Sequence, residues 1–411
     1  MLMPMLIWLA FVQPGASEVG AALLARPAVV RAVDWVRAHE QTVLEDQTRL
    51  CEIEAPPFKE ARRGEALRGL FASLGLRNVR VDAVGNVIGE RPGRSARPNV
   101  VLAAHLDTVF PEGTDVTVTR EGAVLRGPGI GDDCRGLAVL AGVIRALDAE
   151  GIETAGTLTF VGTVGEEGFG DLRGVKHLFQ VELNDRVDAF VSIDGAGTGL
   201  THVGVGSHRY RVTFSGPGGH SYGAFGQANP VHALGRVVAA IADFQVPSSP
   251  VTTFNVGRIG GGTSVNSIAF EAWMEVDLRS ADPGALAALD ERFHAAVEAA
   301  LAAENGRWRD RGRLRVSKER VGQRAAGRTP GDSLIVAGAV SVTRALGLPV
   351  TLDEGSTDSN FPMALGIPAI TIDGGGAGQG AHSLRESFDT TDSWKGTARA
   401  LLLAIALTDA Y

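Results

Sequence analysis

Four short segments of the chain are apolar at nearly every position, so both faces of the strands they predict would be buried. These segments are residues 99–104, 158–161, 189–193 and 368–372. Such runs are typical of parallel strands covered by helices on both sides. A long apolar helix at about 137–147 lies between the first two, and this alternation predicts an α/β domain with a mostly parallel sheet flanked by helices.

The middle of the chain has a different pattern. Residues 209–214 alternate between polar and apolar with period two, as half-exposed strands do. Asn229-Pro230 and Asp282-Pro283 each predict a helix start, because Asn or Asp caps the N-terminus and Pro fits the first turn. Further strands are predicted at 251–256, 271–279 and 314–321. The resulting order β-α-β-β-α-β predicts a small α+β domain inserted into the α/β domain.

These patterns divide the chain into four parts. We expect an N-terminal extension or signal-like segment at 1–27, the first part of the α/β domain at 28–205, the inserted domain at 206–318, and the second part of the α/β domain at 319–411. The first segment has about twelve apolar residues, close to the core of a signal peptide, but no Lys or Arg precedes them. We therefore expect a cytoplasmic protein, with a secreted or periplasmic one as the alternative if the segment is a signal peptide.

Composition excludes several classes of partner. The chain of 411 residues has a net charge of −8, which argues against nucleic acid or an anionic membrane surface as the main partner. None of its apolar runs is long enough for a transmembrane helix. Its two cysteines, Cys51 and Cys134, form no CxxC pair, which excludes a cysteine-rich zinc site.

Acidic residues and histidines follow each of the apolar strands. His105 and Asp107 come after the first strand, Glu166-Glu167 after the second, and Asp194 after the third. A glycine-rich loop with His382 follows the fourth, and Asp132-Asp133 stand before the long helix. Sites in open parallel sheets form at the carboxyl ends of the strands, so these side chains are expected to meet in one crevice.

So many carboxylates in one crevice would repel each other unless a divalent cation were present. Two histidines and three acids are too many for one closed tetrahedral site, but they suit two metals about 3.5–4 Å apart that share a carboxylate. Nitrogen and oxygen donors favour Zn²⁺, with Co²⁺ or Mn²⁺ as substitutes. In the adjacent pair, Glu167 is then expected to bind a metal while Glu166 acts as general base toward the activated water. Asp107 is expected to accept the second imidazole N–H of His105 and fix its tautomer.

The motifs together resemble the M20 family of metallopeptidases. They are His105-Leu-Asp107, Gly131-Asp132-Asp133, Gly165-Glu166-Glu167, Asp194, Gly216-Pro-Gly-Gly-His220-Ser, Asn255-Val-Gly-Arg-Ile and Gly380-Ala-His382-Ser. The resemblance implies that Asp132 bridges two metals, that His105 and Asp194 complete one site, and that Glu167 and His382 complete the other. One departure leaves Asp133 open as the bridging ligand, because the family usually shows Asp-x-Lys-Gly where this chain has Asp132-Asp133-Cys134-Arg135-Gly136.

The resemblance also implies roles for the inserted domain. It corresponds to the family's lid, which is also the dimerisation domain, so a homodimer is expected. His220 matches a histidine that reaches the partner subunit's active site and helps to bind the oxyanion. Arg279 and Asn266 resemble positions that contact the substrate carboxylate or the oxyanion.

We therefore expect a zinc-dependent hydrolase of amide bonds that acts on short peptides, with an N-acyl-amino-acid deacylase as the alternative. A serine hydrolase is a distant rival, because Gly219-His220-Ser221-Tyr222-Gly223 fits G-x-S-x-G. Ser221, however, follows a glycine-rich loop and not the end of a strand. A nucleotide-binding module is disfavoured because the third glycine of its motif would fall at Asp132. A non-catalytic binding protein predicts lost metal ligands, and the sequence lacks none of them.

Overall fold

The computed structural model describes residues 18–410, and the apolar part of the signal-like segment lies outside this range. Residues 19–24, which the sequence-based boundary assigned to the extension, form helix α1 (Val19–Leu24). The main-chain N–H of Gly20 in this helix donates to Ser341 Oγ at 3.0 Å. This end of the predicted extension is therefore packed against the body of the protein.

The other helices in the described residues are listed in chain order. They are α2 (Pro27–Ala38), α3 (Glu40–Cys51), α4 (Ala61–Ser73), α5 (Cys134–Ala149), α6 (Arg173–His177), α7 (Pro230–Ala242), α8 (Pro283–Arg307), α9 (Leu334–Ala345), α10 (Asn360–Ala364) and α11 (Trp394–Ala410). A 3₁₀ turn at Gly168–Gly170 and a π-helical turn at Leu178–Glu182 flank α6.

Within residues 18–410 the strands form two principal sheets and two small ones. In chain order they are β1 (Arg77–Val81), β2 (Val87–Arg91), β3 (Asn99–His105), β4 (Thr119–Glu121), β5 (Val124–Arg126), β6 (Thr157–Thr163), β7 (Ala189–Ile193), β8 (Gly199–Gly204), β9 (Gly206–Ser215), β10 (Gly219–His220), β11 (Thr252–Gly261), β12 (Ser267–Ile268), β13 (Glu271–Ser280), β14 (Arg315–Arg324), β15 (Gly327–Arg328), β16 (Thr351–Gly355), β17 (Ala369–Ile372), β18 (Ala377–Gln379) and β19 (Ser387–Asp389).

The large sheet has a parallel centre, as the apolar runs predicted. Its order is β1-β2-β6-β3-β7-β17-β8-β15, and β16 also pairs with β8. The four strands predicted from those runs, β6, β3, β7 and β17, pair in parallel. Antiparallel strands are confined to the flanks, where β2 pairs with β6 and β8 pairs with β17. The α/β fold class is thereby confirmed.

Both faces of the parallel centre are buried because successive residues of each strand point to opposite sides. In β3, Val100 and Leu102 belong to the large core that also contains residues of α5 and α11. Val101 and Ala103 belong to a second core on the other face, which includes Val175 of α6. This two-sided burial leaves the ends of the strands as the place where polar side chains can gather.

The inserted unit is a four-stranded antiparallel sheet, β11-β13-β9-β14, with α7 and α8 packed on one face. The predicted caps form as expected, since the Asn229 side chain accepts from the Val231 N–H and that of Asp282 accepts from the Ala285 N–H. Strand β14 continues to Arg324, so the boundary drawn at residue 318 falls inside a strand. The chain rejoins the large sheet at β15.

Every helix in residues 18–410 is too short or too polar to span a bilayer.

Candidate active site

The predicted acids and histidines meet at the carboxyl ends of the parallel strands. His105 is the last residue of β3, and the loops after β6 and β7 carry Glu166-Glu167 and Asp194. They surround a cavity of about 500 Å³, whose lining includes Asp132, Glu166, Glu167, Asp194 and His382. The convergence follows from the parallel pairing, because it places all these strand ends at one edge of the sheet.

Asp132 lies at the centre of the cluster and faces a histidine with each carboxylate oxygen. Its Oδ1 is 2.9 Å from His105 Nε2, and its Oδ2 is 3.0 Å from His382 Nε2. His105 Nε2 is also 3.6 Å from Asp194 Oδ1, and His382 Nε2 is 3.1 Å from Glu167 Oε1. One carboxylate is thus shared by two groups of three potential ligands.

The donor set fits two divalent cations. In the group His105, Asp132 and Asp194, and in the group Asp132, Glu167 and His382, each residue offers one ligand atom within 4.8 Å of the others. The carboxylates Asp132 and Glu167 raise the pKa of His382 to about 10. Although burial opposes the charge of Asp132, contacts with His105 and His382 lower the pKa of that carboxyl. The site therefore already favours positive charge at the places where cations would lie.

Asp133, the alternative bridging ligand, points away from the shared position. Its Oδ2 accepts from the main-chain N–H of His105 at 3.0 Å, and its Oδ1 accepts from that of Gly136 at 2.9 Å. It is fully buried and is the N-cap of α5. The two adjacent aspartates therefore face different partners, with Asp132 toward the cavity and Asp133 toward the backbone.

Asp107 makes different contacts from those expected. The Nδ1 atom of His105 lies 2.9 Å from the main-chain oxygen of Asp107 and 3.7 Å from its carboxylate. The carboxylate instead accepts the main-chain N–H groups of Glu166 at 3.0 Å and Glu167 at 2.8 Å. The expected contact with His105 Nδ1 is therefore made mainly by the main-chain oxygen of Asp107, and the role of Asp107 in fixing the tautomer stays a prediction. The main contact of the carboxylate is with the loop that carries the two glutamates.

Glu166 is held by an arginine that the sequence did not single out. Its Oε1 accepts from Arg324 Nη1 at 2.9 Å, and Arg324 comes from β14 of the inserted unit. Burial and the neighbouring Glu167 raise the pKa of Glu166, and Arg324 opposes this shift. Glu166 also offers an oxygen within 4.8 Å of ligand atoms of His105 and Glu167. A carboxyl placed in this way can take up and return a proton beside the cluster.

Glu386 is a second residue that the sequence pattern did not identify, and it holds the loop that carries Asp132. Its Oε1 accepts from the main-chain N–H groups of Gly131 and Asp132, and its Oε2 accepts from that of Gly129. The side chain is almost completely buried. The only sequence signal was an unusual Ser383-Leu384-Arg385-Glu386 continuation of the His382 motif.

The substrate-binding candidates fall into two places. Arg279 lines the cavity with the metal-ligand candidates. His220 and Asn266 are exposed and lie together elsewhere on the inserted unit, where Ser221 N–H donates to the main-chain oxygen of Asn266. Within residues 18–410, neither has a hydrogen bond or ion pair with the cluster. A single chain therefore brings Arg279 to the site but not His220 or Asn266.

Ser221 has no geometry for nucleophilic catalysis. In the described part of the chain its hydroxyl makes no hydrogen bond, and the neighbouring His220 uses Nδ1 to accept from the N–H groups of Tyr222 and Gly223. A serine nucleophile needs a base within hydrogen-bond reach that is oriented by a third group. This arrangement does not support the serine hydrolase rival.

The central sheet is parallel, and one carboxylate at its edge is shared by two groups of histidine and carboxylate ligands. This arrangement is typical of hydrolases with a dinuclear metal centre. Residues 101–406 match the sequence model of the family described as Peptidase family M20/M25/M40. The chain belongs to this family, so the resemblance is confirmed, and it is an enzyme that hydrolyses amide bonds.

Two curated relatives show the range of the family. The chain is 27% identical over 285 residues to the uncharacterized protein YqjE of Bacillus subtilis, covering 66% of this chain and 74% of that protein. It is 27% identical over 241 residues to succinyl-diaminopimelate desuccinylase of Corynebacterium glutamicum, covering 57% of this chain and 64% of that enzyme.

Solved structures share the fold. A tripeptidase of Staphylococcus aureus superposes with a TM-score of 0.74 at 21% identity, covering 90% of this chain and 99% of that one. The YXEP protein of Bacillus subtilis, described as a dinuclear metal binding peptidase from the M20 family, superposes with a TM-score of 0.67 at 17% identity, covering 91% and 100%.

Proposed function

We propose that this protein is a metallopeptidase that cleaves short peptides with two divalent metal ions, which we take to be Zn²⁺. The observation that carries the proposal is the position of Asp132, whose two oxygens lie 2.9 and 3.0 Å from the Nε2 atoms of His105 and His382. His105, Asp132 and Asp194 would hold one ion, and Asp132, Glu167 and His382 the other. Zn²⁺ suits these nitrogen and oxygen donors, with Co²⁺ or Mn²⁺ as substitutes.

In this proposal, the residues of the chain carry the proton and bind the substrate. The bound ions supply a water of lowered pKa and positive charge for the carbonyl oxygen. Glu166 takes the proton from the attacking water at its carboxylate and returns it to the nitrogen of the leaving amine. Its burial supports this role, because a raised pKa lets a carboxyl hold a proton between the two steps. Arg279 would bind a free carboxylate of the substrate.

An N-acyl-amino-acid deacylase remains the second candidate. The metal-ligand and base residues would serve both reactions, because each breaks an amide bond. The observation that favours it is the similarity to an enzyme named as a desuccinylase. The two candidates differ in the group on the amino side of the scissile bond, which is a residue with a free amine in a peptide and an acyl group in the alternative.

A hydrolysis panel read by mass spectrometry separates these candidates. Zinc-loaded protein would be incubated with di- and tripeptides that have free amines and with N-acetyl, N-succinyl and N-glutamyl amino acids, each with and without a chelator. Cleavage of the free-amine peptides that stops with chelator supports the peptidase. Cleavage of only the N-acylated compounds supports the deacylase, and cleavage that ignores the chelator would refute the metal mechanism.

The general base is tested by Glu166→Gln, with Glu354→Gln as a matched control on an exposed strand. Removal of a general base typically costs about 10²- to 10⁴-fold in rate. We expect Glu166→Gln to keep its metal content, measured by elemental mass spectrometry, and to lose activity on this scale. The control should keep both, and near-normal turnover in Glu166→Gln would refute the assignment.

We further propose that a homodimer completes the site and that the inserted unit acts as its lid. His220 and Asn266 lie outside the cavity of their own chain, so a second copy would have to supply them. The edge strand β11 is unpaired on one side in the described structure, and Ile259 on it is 63% exposed, which suits strand-to-strand contact between copies. Mixing inactive His220→Ala with inactive Glu166→Gln should restore activity, because the hybrid contains one intact site. A fully active monomer would contradict the dimer.

The cytoplasmic location also stays a proposal. N-terminal sequencing of the protein isolated from its native cell tests it, since a signal peptide would have been removed.

A further inference from the structure

Three potential metal ligands meet outside the candidate active site, beside the edge strand β1 of the large sheet. They are Asp82, in the turn between β1 and β2, and His177 and Glu182, on α6 and the π-helical turn that follows it. Each residue offers one ligand atom, and the three atoms lie within 4.8 Å of one another. All three residues are half-buried, so water can still reach an ion that they bind.

The π-helical turn at Leu178–Glu182 brings His177 and Glu182 to one side of the chain. Its hydrogen bond spans five residues, from the N–H of Leu183 to the main-chain oxygen of Leu178 at 2.8 Å. Residues five apart therefore face the same way, whereas an α-helix aligns residues three or four apart. Turns of this kind are rare in proteins, and those that occur often lie at functional sites. This local geometry sets two of the three donors side by side.

One imidazole nitrogen of His177 has no hydrogen-bond partner in residues 18–410. This Nε2 atom is shielded from solvent, and it lies 3.9 Å from Glu182 Oε1, beyond hydrogen-bond distance. A buried polar atom without a partner is costly, whereas a neutral imidazole nitrogen is a common metal ligand. Two ligands that are each about 2.1 Å from a tetrahedral Zn²⁺ lie about 3.4 Å apart, so the two atoms need to approach by only about 0.5 Å.

The carboxylate of Asp82 is oriented by its own turn. Its Oδ1 accepts from the main-chain N–H groups of Val84, Gly85 and Asn86 at 2.9–3.0 Å. Its Oδ2 accepts from Asn86 Nδ2 at 2.6 Å, and this amide also donates to the main-chain oxygen of Gly174 in α6 at 2.9 Å. A carboxylate oxygen with one hydrogen bond keeps a lone pair for a further contact. Metal ligands are typically oriented by secondary hydrogen bonds of this kind.

The charges around the three donors suit a divalent cation. Asp82, Glu182 and Glu90 bring three negative charges, and Arg80 brings one positive charge, which it divides between Glu90 and Glu182 at 3.3 Å each. With a neutral imidazole, the form of histidine that binds metals, the group retains two negative charges. A bound divalent cation would neutralise both.

We propose that Asp82, His177 and Glu182 form a metal site separate from the candidate active site, which binds Zn²⁺ or a similar divalent transition-metal ion with water as the fourth ligand. One imidazole and two carboxylates are donors that suit this ion. The ion is structural, because it ties the turn between β1 and β2 to α6. The inference does not depend on the proposed function, since the two sites share no ligand.

The proposed ion lies next to the segment that leads to the glutamate loop. The main-chain N–H of Gly174 in α6 donates to the oxygen of Val164 at 2.9 Å, and the N–H of Val164 donates to Asn86 Oδ1 at 3.0 Å. Val164 is two residues before Glu166. An ion that fixes α6 against the β1–β2 turn therefore also supports the start of this loop.

Calorimetric titration with Zn²⁺ tests the site without an assay of activity. In Asp132→Asn, which lacks the shared ligand of the candidate active site, we expect one ion to bind per chain. Adding His177→Gln or Glu182→Gln should weaken this binding at least about tenfold, because the loss of a residue that only orients a ligand already costs about 10- to 100-fold. Circular dichroism would verify that each variant is folded.

His232→Gln is the matched control. Nδ1 of His232 lies 3.6 Å from Glu304 Oε1, but in the described residues these two belong to no group of three ligands. The control should leave zinc binding by Asp132→Asn unchanged. Absence of zinc binding by Asp132→Asn, or a bound ion whose affinity is the same with and without His177→Gln, would overturn the inference.

The number of ions bound by otherwise wild-type protein separates this inference from the proposed function. Three ions per chain, of which two are lost in Asp132→Asn and one in His177→Gln, support both proposals. One ion that is lost in His177→Gln and retained in Asp132→Asn supports the new site and refutes the two-metal active site. Two ions that are both lost in Asp132→Asn would overturn the new site and leave the proposed function intact.

Discussion

Replacing Asp107 with asparagine probes the contact between this carboxylate and the loop that carries Glu166 and Glu167. The carboxylate is fully buried and accepts two main-chain N–H groups, from Glu166 at 3.0 Å and from Glu167 at 2.8 Å. Burial opposes the charge of Asp107, but contacts with His105 and with these two N–H groups lower the pKa of the carboxyl. Asp107 is therefore an anion that acts as an acceptor on both oxygens.

The expected loss in the free energy of unfolding follows from these two hydrogen bonds. Asparagine keeps one oxygen but places an NH₂ group against the other main-chain N–H, so one charge-assisted bond is lost and a buried donor is left without an acceptor. A hydrogen bond to a charged group contributes about 1.5–3 kcal/mol, and an unsatisfied buried donor costs about 1–3 kcal/mol. Because the two terms overlap, we expect the free energy of unfolding to fall by about 2–4 kcal/mol.

Activity should fall as well, because the displaced loop carries Glu166 and Glu167. A displacement of about 1 Å near the reacting atoms costs about 10²-fold in rate. The assays are urea unfolding followed by circular dichroism, metal binding by calorimetry, and turnover of the best peptide from the hydrolysis panel.

Asp115→Asn is the matched control. Asp115 is also an aspartate that accepts a main-chain N–H, from Thr117 at 3.0 Å, but it is exposed and is not part of the cavity lining. It should leave stability and turnover unchanged. Wild-type stability together with full activity in Asp107→Asn would show that the carboxylate does not hold the glutamate loop.

Three further predictions concern other acidic residues in or near the candidate active site. Asp132→Asn should abolish metal binding at that site, measured by calorimetry, with little loss of stability, whereas Asp133→Asn should lower the unfolding temperature. The reverse result would make Asp133 the bridging ligand. Glu386→Gln removes the acceptor of three loop N–H groups, so metal affinity should fall, and unchanged affinity would contradict this support. Burial raises the pKa of Asp358 to about 6. A carboxyl with a raised pKa in the folded state stabilises the protein only while it is protonated, so metal-free protein should lose up to about 3 kcal/mol of unfolding free energy between about pH 4 and 6. Asp358→Asn should flatten this pH dependence in urea unfolding.

The sequence by itself determined the parallel centre of the fold and the elements that end at the site. The apolar runs that became β3, β6, β7 and β17 indicated burial on both faces, a local property that needs no knowledge of the partners. The caps at Asn229 and Asp282 were predictable for the same reason, since an N-cap is a contact within one turn. Acids and histidines directly after buried strands then predicted a common site, because parallel pairing fixes where strand ends meet.

Only the tertiary structure decided which residue each of these side chains would face. Asp132 and Asp133 are adjacent and chemically identical, and the backbone at the start of α5 turns one to the cavity and the other to main-chain N–H groups. Arg324 and Glu386 reach the site from segments more than 150 residues distant from their partners. Arg209, Arg279 and Arg324 line the same cavity because the register of three strands brings them to one face of the inserted sheet. Such contacts follow from long-range pairing and packing, which no local pattern of residues encodes.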